Sequence, residues 1–268
     1  MDMQILSDSN MGEQHEVRSP FGVLIIHGFT ATLDSVNALI KPLAELGIPV
    51  SIPLLAGHGA ATPEALRGVT WGAWLADAEG ALQKLSLEAE RLIVIGHSMG
   101  ALIALNLAVK YPGAVDSLAL ATPAIKLASL LAPGRPLHFA ARPVSLLVRK
   151  WNLKTEFAGP RIQGCTPHYA WAPTDAIVSF FELIKNTVKV LGNVNVPVLI
   201  LHNRRESTVL PESASSLYKS IATVPSDKSI VWLERSEHQV FCDCEREKAV
   251  RTIIDFVSSR ISRKVPAG

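Results

Sequence analysis

Cysteine is scarce: Cys165, Cys242 and Cys244 are the only three in a chain of 268 residues. That excludes a small fold stapled by several disulfides. Cys242 and Cys244 stand one residue apart, an awkward spacing for a bridge, and no second ligand pair follows to complete a metal site. All three are therefore expected to be buried or incidental thiols. A surplus of charge is also missing. Lys and Arg number 26 against 24 Asp and Glu, a net charge of +2, so no global field draws the chain to nucleic acid. No uninterrupted apolar run reaches membrane-spanning length. Residues 1–20 carry Asp2, Asp8, Glu13 and Glu16 and lack the apolar core of a secretory signal. They read as a loosely held polar segment, and the chain as a soluble, cytoplasmic protein. No internal repeat is present. What the chain does have is 48% hydrophobic residues, enough for one sizeable core, with or without a small lid.

The most informative stretch is Leu92–Ile93–Val94–Ile95–Gly96–His97–Ser98–Met99–Gly100. Four apolar residues predict a buried strand. Ala101 to Ala108 predicts a helix packed on most sides. Gly-x-Ser-x-Gly between a strand and a helix is the context of a nucleophile elbow. Ser98 then sits on a turn too sharp for ordinary backbone angles. Gly96 and Gly100 let the adjoining backbones approach without a Cβ in the way. The helix begins just after Ser98, so its unpaired N–H groups favour negative charge there.

Buried-strand runs also occur at residues 23–26, 48–53, 115–121, 196–201 and 229–233. Helical patterns fall at 35–46, 71–85, 211–221 and 245–261, with Pro42 expected to delay or kink the first. Alternating strands and helices predict an α/β fold with a mostly parallel central sheet flanked by helices. The alternation stops between about Pro123 and Val194, which lacks strand runs and is rich in helical patches and proline. The expected division is a core of residues 21–122 and 195–262, with residues 123–194 inserted as a helical cap over the strand ends.

A serine hydroxyl needs a base within hydrogen-bond reach and a group that orients that base. In this topology the acid follows the nucleophile and the histidine comes last. His238 lies in the loop after the strand at 229–233 and is the expected base. Glu206 is the only carboxylate in the loop after the strand at 196–201 before the next helix, and is the expected acid. Its competing role is a surface pair with Arg204 or Arg205. Asp243, only five positions past His238, is the weaker candidate. The amides of Met99 and Phe29 are placed to hold an oxyanion, each worth roughly 3 kcal/mol in the transition state. Gly28, His27 and His97 are expected around the substrate, with His58 in a neighbouring loop.

On these motifs the chain resembles the α/β-hydrolase superfamily, and within it the small bacterial carboxylesterases and monoacylglycerol lipases. The resemblance rests on His27–Gly28–Phe29–Thr30, Leu55–Ala56–Gly57–His58–Gly59, Gly96–His97–Ser98–Met99–Gly100, Pro197, Pro211 and Ser236–Glu237–His238, and covers residues 23–261. It implies the α/β-hydrolase fold, a small-molecule ester substrate cleaved through an acyl-enzyme, and no metal or organic cofactor. Hydrolysis of a thioester, lactone, amide or C–C bond, or a catalytically weak ligand-binding role, stay open beside it. Two departures stand out. The family usually has Asp where Glu206 stands and Gly where Glu237 stands. The second sets a carboxylate beside His238, where it would raise the pKa of the imidazole or obstruct the pocket.

The cap is basic. Between Ala124 and Thr174, Lys126, Arg135, Arg142, Arg149, Lys150, Lys154 and Arg161 stand against Glu156 alone. A solvated face is the plain reading. Attraction of an anionic substrate, or peripheral contact with an acidic membrane, is the alternative. Leu127, Leu130, Leu131, Leu137, Phe139, Leu146, Leu147 and Val148 are expected to pack the cap on the core or line an acyl pocket. The oligomeric state is not readable.

Overall fold

The structure, a computed structural model, describes residues 18–154, 157–160, 162, 165 and 169–263. Most of the polar N-terminal segment, and Glu156 and Arg161 of the basic stretch, lie outside them. Six strands form one sheet in the order β2–β1–β3–β4–β7–β8, every neighbouring pair parallel. They are β1 (Ser19–Ile26), β2 (Val50–Ser51), β3 (Ala89–His97), β4 (Val115–Ala121), β7 (Val198–Asn203) and β8 (Lys228–Leu233). A parallel sheet covered on both faces demands apolar residues at successive positions. In β1, Leu24 and Ile26 pack into one core, while Val23 and Ile25 pack into the other.

The first core is closed by α2 (Trp71–Glu88), α3 (Met99–Lys110), α5 (Thr174–Val190) and α6 (Glu212–Ser220). The second lies under α1 (Ile40–Ala44) and α7 (Arg246–Ser262). The helix expected over 35–46 is shorter than its apolar stripe. Two 3₁₀ turns, Leu33–Ser35 and Asn37–Leu39, precede α1. Pro42 stands in the first turn of α1, where its missing N–H costs nothing.

Between β4 and β7 the chain forms α4 (Ala141–Leu147), α5, and a two-stranded antiparallel sheet of β5 (Lys150–Asn152) and β6 (Trp171–Pro173). The sequence showed no strand there, because three-residue strands are too short to display alternation. α5 buries Phe180, Phe181, Leu183, Ile184 and Thr187. It docks on α3, where Asn106 Nδ2 donates to Thr187 Oγ1 at 2.8 Å. Among the described residues no helix is long and apolar enough to cross a membrane.

One expectation about cysteine is overturned. Cys165 and Cys242 form a disulfide across 77 positions of sequence. The fold brings their Cα atoms to 5.9 Å, within bridging range. Cys244 is the free, exposed thiol.

Candidate active site

β3 runs into α3 through one residue, and that residue carries the strain. Ser98 has φ 55° and ψ −113°, a conformation that costs about 1–3 kcal/mol for a residue with a Cβ. It is held on both sides. Its N–H donates to Ala121 O of β4 at 2.9 Å, and its carbonyl accepts from Ala101 N–H at 3.2 Å. The flanking glycines are steric necessities. A Cβ on Gly100 would collide with the Ile26 carbonyl, and one on Gly96 with Gly100 O and Ala101. A Cβ on Gly28 would stand 3.2 Å from the Ser98 Cβ. Glycine at position 28 therefore relieves a tight contact between the β1 loop and the elbow.

Ser98, His238 and Glu206 meet. Ser98 Oγ lies 2.9 Å from His238 Nε2, and His238 Nδ1 lies 3.1 Å from Glu206 Oε2. Glu206 is bound to the imidazole, not to its arginine neighbours; Arg204 pairs with Glu234 at 3.1 Å. Its Oε1 accepts the N–H groups of Thr208 and Val209 at 3.0 and 3.1 Å. Burial alone pushes this carboxyl up. The charge and hydrogen bond of His238, with the two backbone amides, outweigh that and hold it below the ordinary value. Close by, burial pushes the His202 imidazole down, towards its neutral form.

Several expected neighbours have other positions. His97 is buried and does not line the cavity. Its Nε2 meets the His238 carbonyl at 3.1 Å, so it supports the histidine loop from behind. His27 is fully buried. Its Nδ1–H donates to Gly28 O at 2.9 Å and its Nε2 accepts the Leu55 N–H at 3.1 Å. With both nitrogens committed to backbone, His27 shapes the loop and does not touch a ligand. His58 does the same from the next loop, accepting the Thr30 N–H at 3.0 Å. Gly28 approaches Ser98 without lining the cavity. Phe29 does line it, stacked on Phe180 with ring centroids 5.2 Å apart. Met99 is the first residue of α3, so its N–H has no partner within the helix.

Glu237 does not obstruct the cavity. Its Oε2 accepts the N–H and Oγ–H of Ser207 at 3.1 and 2.9 Å, and its carbonyl accepts from Asn203 Nδ2 at 2.5 Å. It ties the loop of Glu206 to the loop of His238. Asp243 does not face the imidazole. It is fully buried and accepts four backbone N–H groups, from Glu237, Ala158, Gly159 and Cys244, at 2.7–3.1 Å. Glu245 holds the same turn, accepting the N–H groups of Glu234, Arg235 and Ser236. Burial tends to raise its pKa, and these bonds bring it below the ordinary carboxylate value. Sequence marked Glu237 and Asp243 only as a pocket neighbour and a weaker acid candidate. Their roles in tying the loops, and Asn203 altogether, left no signal, because bonds to backbone groups and between loops leave no sequence motif.

The cavity over Ser98 measures about 300 Å³. Phe29, Leu127, Ile177, Phe180 and Phe181 give it an apolar wall, and Asn152, Lys154, Ser207, Thr208 and Gln239 a polar one. Of the cap residues expected to pack inward, Leu127 does. Phe139, Leu146 and Leu147 do not; they are 79%, 84% and 86% exposed.

Residues 21–245 match the Hydrolase_4 family, described as serine aminopeptidase, S33. The chain belongs to this family and has the α/β-hydrolase fold. It is 26% identical over 260 residues to a thermostable monoacylglycerol lipase of Bacillus sp. strain H-257, covering 92% of this chain and 98% of that one. It is 24% identical over 242 residues to a carboxylesterase of Bacillus subtilis strain 168, covering 88% and 91%. Among solved structures, one from a pair of metagenome-derived lipolytic enzymes superposes with a TM-score of 0.80 at 25% identity, covering 91% of this chain and 95% of that one.

Proposed function

We propose that this chain is a serine hydrolase of carboxylic esters with lipophilic acyl groups, monoacylglycerols among them, and that Ser98, His238 and Glu206 carry the reaction. The observation behind it is the unbroken contact from Ser98 Oγ to His238 Nε2, and from His238 Nδ1 to the Glu206 carboxylate. The Ser98 proton passes to Nε2 as Oγ attacks the ester carbonyl. The Phe29 and Met99 amides receive the oxyanion. The intermediate collapses, and the alcohol leaves with the proton from Nε2. Water, deprotonated by His238, then attacks the acyl-enzyme and releases the acid. Glu206 fixes the tautomer and stabilises the imidazolium. Residues 123–194 serve as the cap that shapes the acyl wall.

The family description names a peptidase, so an amine-terminal peptide is the competing substrate. Binding an α-ammonium group calls for a carboxylate nearby. The described residues that line the cavity include none, and Lys154 is the cation among them. That composition favours esters. The exposed Phe139, Leu146 and Leu147 stand close in sequence to Arg142, Arg149 and Lys150, a pairing suited to an anionic lipid surface.

A fluorophosphonate probe and p-nitrophenyl esters of graded chain length test the reading. The expected result is labelling at Ser98, burst release of phenol, and loss of both in Ser98→Ala. Unlabelled Ser98 with no ester turnover would overturn it in favour of a binding role.

A further inference from the structure

The ester chemistry leaves one large cavity unused. It measures about 830 Å³, larger than the cavity over Ser98. α5 and α6 form two of its walls, and residues from the segment after β4 form the third. Ile125, Ile184 and Leu191 are packed in the core beneath it, and half-exposed Val188 with partly exposed Leu210 give it an accessible apolar surface. Lys126, Arg135, Lys185 and Lys189 bring positive charge to it, against Glu182 and Glu212. Glu182 is already neutralised, paired with Lys185 and Arg142 at 3.2 Å each. Lys126, Arg135 and Lys189 make no ion pair among the described residues. Arg135 also buries its Nε with no hydrogen-bond partner there. An incoming anion would give Lys126, Arg135 and Lys189 the charge partner they lack among the described residues.

An apolar trough with unspent cations at its edge fits an alkyl chain that ends in an anion. Its size is within the range of small-molecule sites. We propose that this cavity is a binding site for a long-chain carboxylate, with the chain on Val188 and Leu210 and the head group on Arg135 and Lys126. The site adjoins the catalytic one through shared backbone. Leu210 and Glu212 line it, while Ser207 and Thr208, next to Glu206, line the cavity over Ser98. Leu210 N–H donates to Lys126 O at 2.8 Å, joining two of its walls.

The test is calorimetric titration of dodecanoate, below its micelle concentration, into full-length protein whose Ser98 carries an alkyl phosphonate that fills the catalytic cavity. One dodecanoate per chain is expected, with dodecanol weaker by roughly tenfold or more. Arg135→Glu weakens dodecanoate by a similar factor and leaves p-nitrophenyl butyrate turnover within about twofold. Ser216→Trp, which fills the cavity from α6, abolishes binding. The proposal is overturned if the capped protein binds no dodecanoate, if dodecanol binds equally well, or if neither substitution has an effect. If Ser98 resists the phosphonate, the catalytic reading fails by itself. The two variants, titrated uncapped, still decide the second cavity.

Discussion

Glu206 stays charged in a place that disfavours charge, because His238 and two backbone amides supply what water would have given. Its folded pKa is below the ordinary 4.5, so the folded chain holds fewer protons at this site than the unfolded chain. Its stabilising contribution is therefore complete above the unfolded pKa and lost as pH falls through the folded one. Urea unfolding of the native protein and Glu206→Gln across pH 3–7 is expected to show a native advantage near neutrality that shrinks in acid. The same variant presents an amide to the imidazole and permits the wrong tautomer. Its kcat with p-nitrophenyl butyrate should fall by about 10³–10⁴-fold. Glu237 acts one step further out. Glu237→Gly removes both bonds to Ser207, and the acid loop loses its tie to the histidine loop. A fall in kcat of roughly tenfold with KM unchanged is expected. Glu237→Gln, which keeps an acceptor oxygen, should restore most of it.

The junction of β3 and α3 shows an element built against its own comfort. The backbone angles of Ser98 lie in the mirror image of the extended region, which glycine enters freely. Ser98→Gly should therefore raise stability by about 1 kcal/mol in denaturant unfolding while abolishing turnover. Gly100→Ala should do the opposite, because the added methyl meets the Ile26 carbonyl. A loss of about 3 kcal/mol or more is expected. This junction was legible in the sequence because its requirements are local: a strand, a turn with glycine on both sides, a helix. Glu206 and His238 could be picked out by their place after particular strands. The support around them could not. Cys165 and Cys242 are joined only through the fold, and their 77-residue separation carries no signal. β5 and β6 are too short for a period to emerge. His27 and His97 sit in the right loops, but sequence position does not say which way a ring turns.

Across the whole molecule the two sides of the insertion differ. α5 is spent on the core, whereas the α4 region leaves three large apolar side chains in water. Folded proteins seldom expose several large apolar side chains within one short stretch without a use. The expectation is that the protein cosediments with phosphatidylglycerol vesicles more strongly than with phosphatidylcholine vesicles, and less strongly as salt rises. Leu146→Glu combined with Leu147→Glu should reduce cosedimentation by roughly tenfold. Turnover of water-soluble esters should be unaffected, since neither residue lines the cavity.

The four amides gathered by Asp243 bear on how such enzymes diversify. Two of them, from Ala158 and Gly159, lie between β4 and β7, and a third, from Glu237, adjoins His238. A chimera that borrowed a relative's corresponding segment, cut after β4 and before β7, would leave this carboxylate facing strangers. Transplanting new specificity onto this scaffold therefore means moving residues 157–160 and the 237–243 loop as one piece, although some eighty positions of chain divide them.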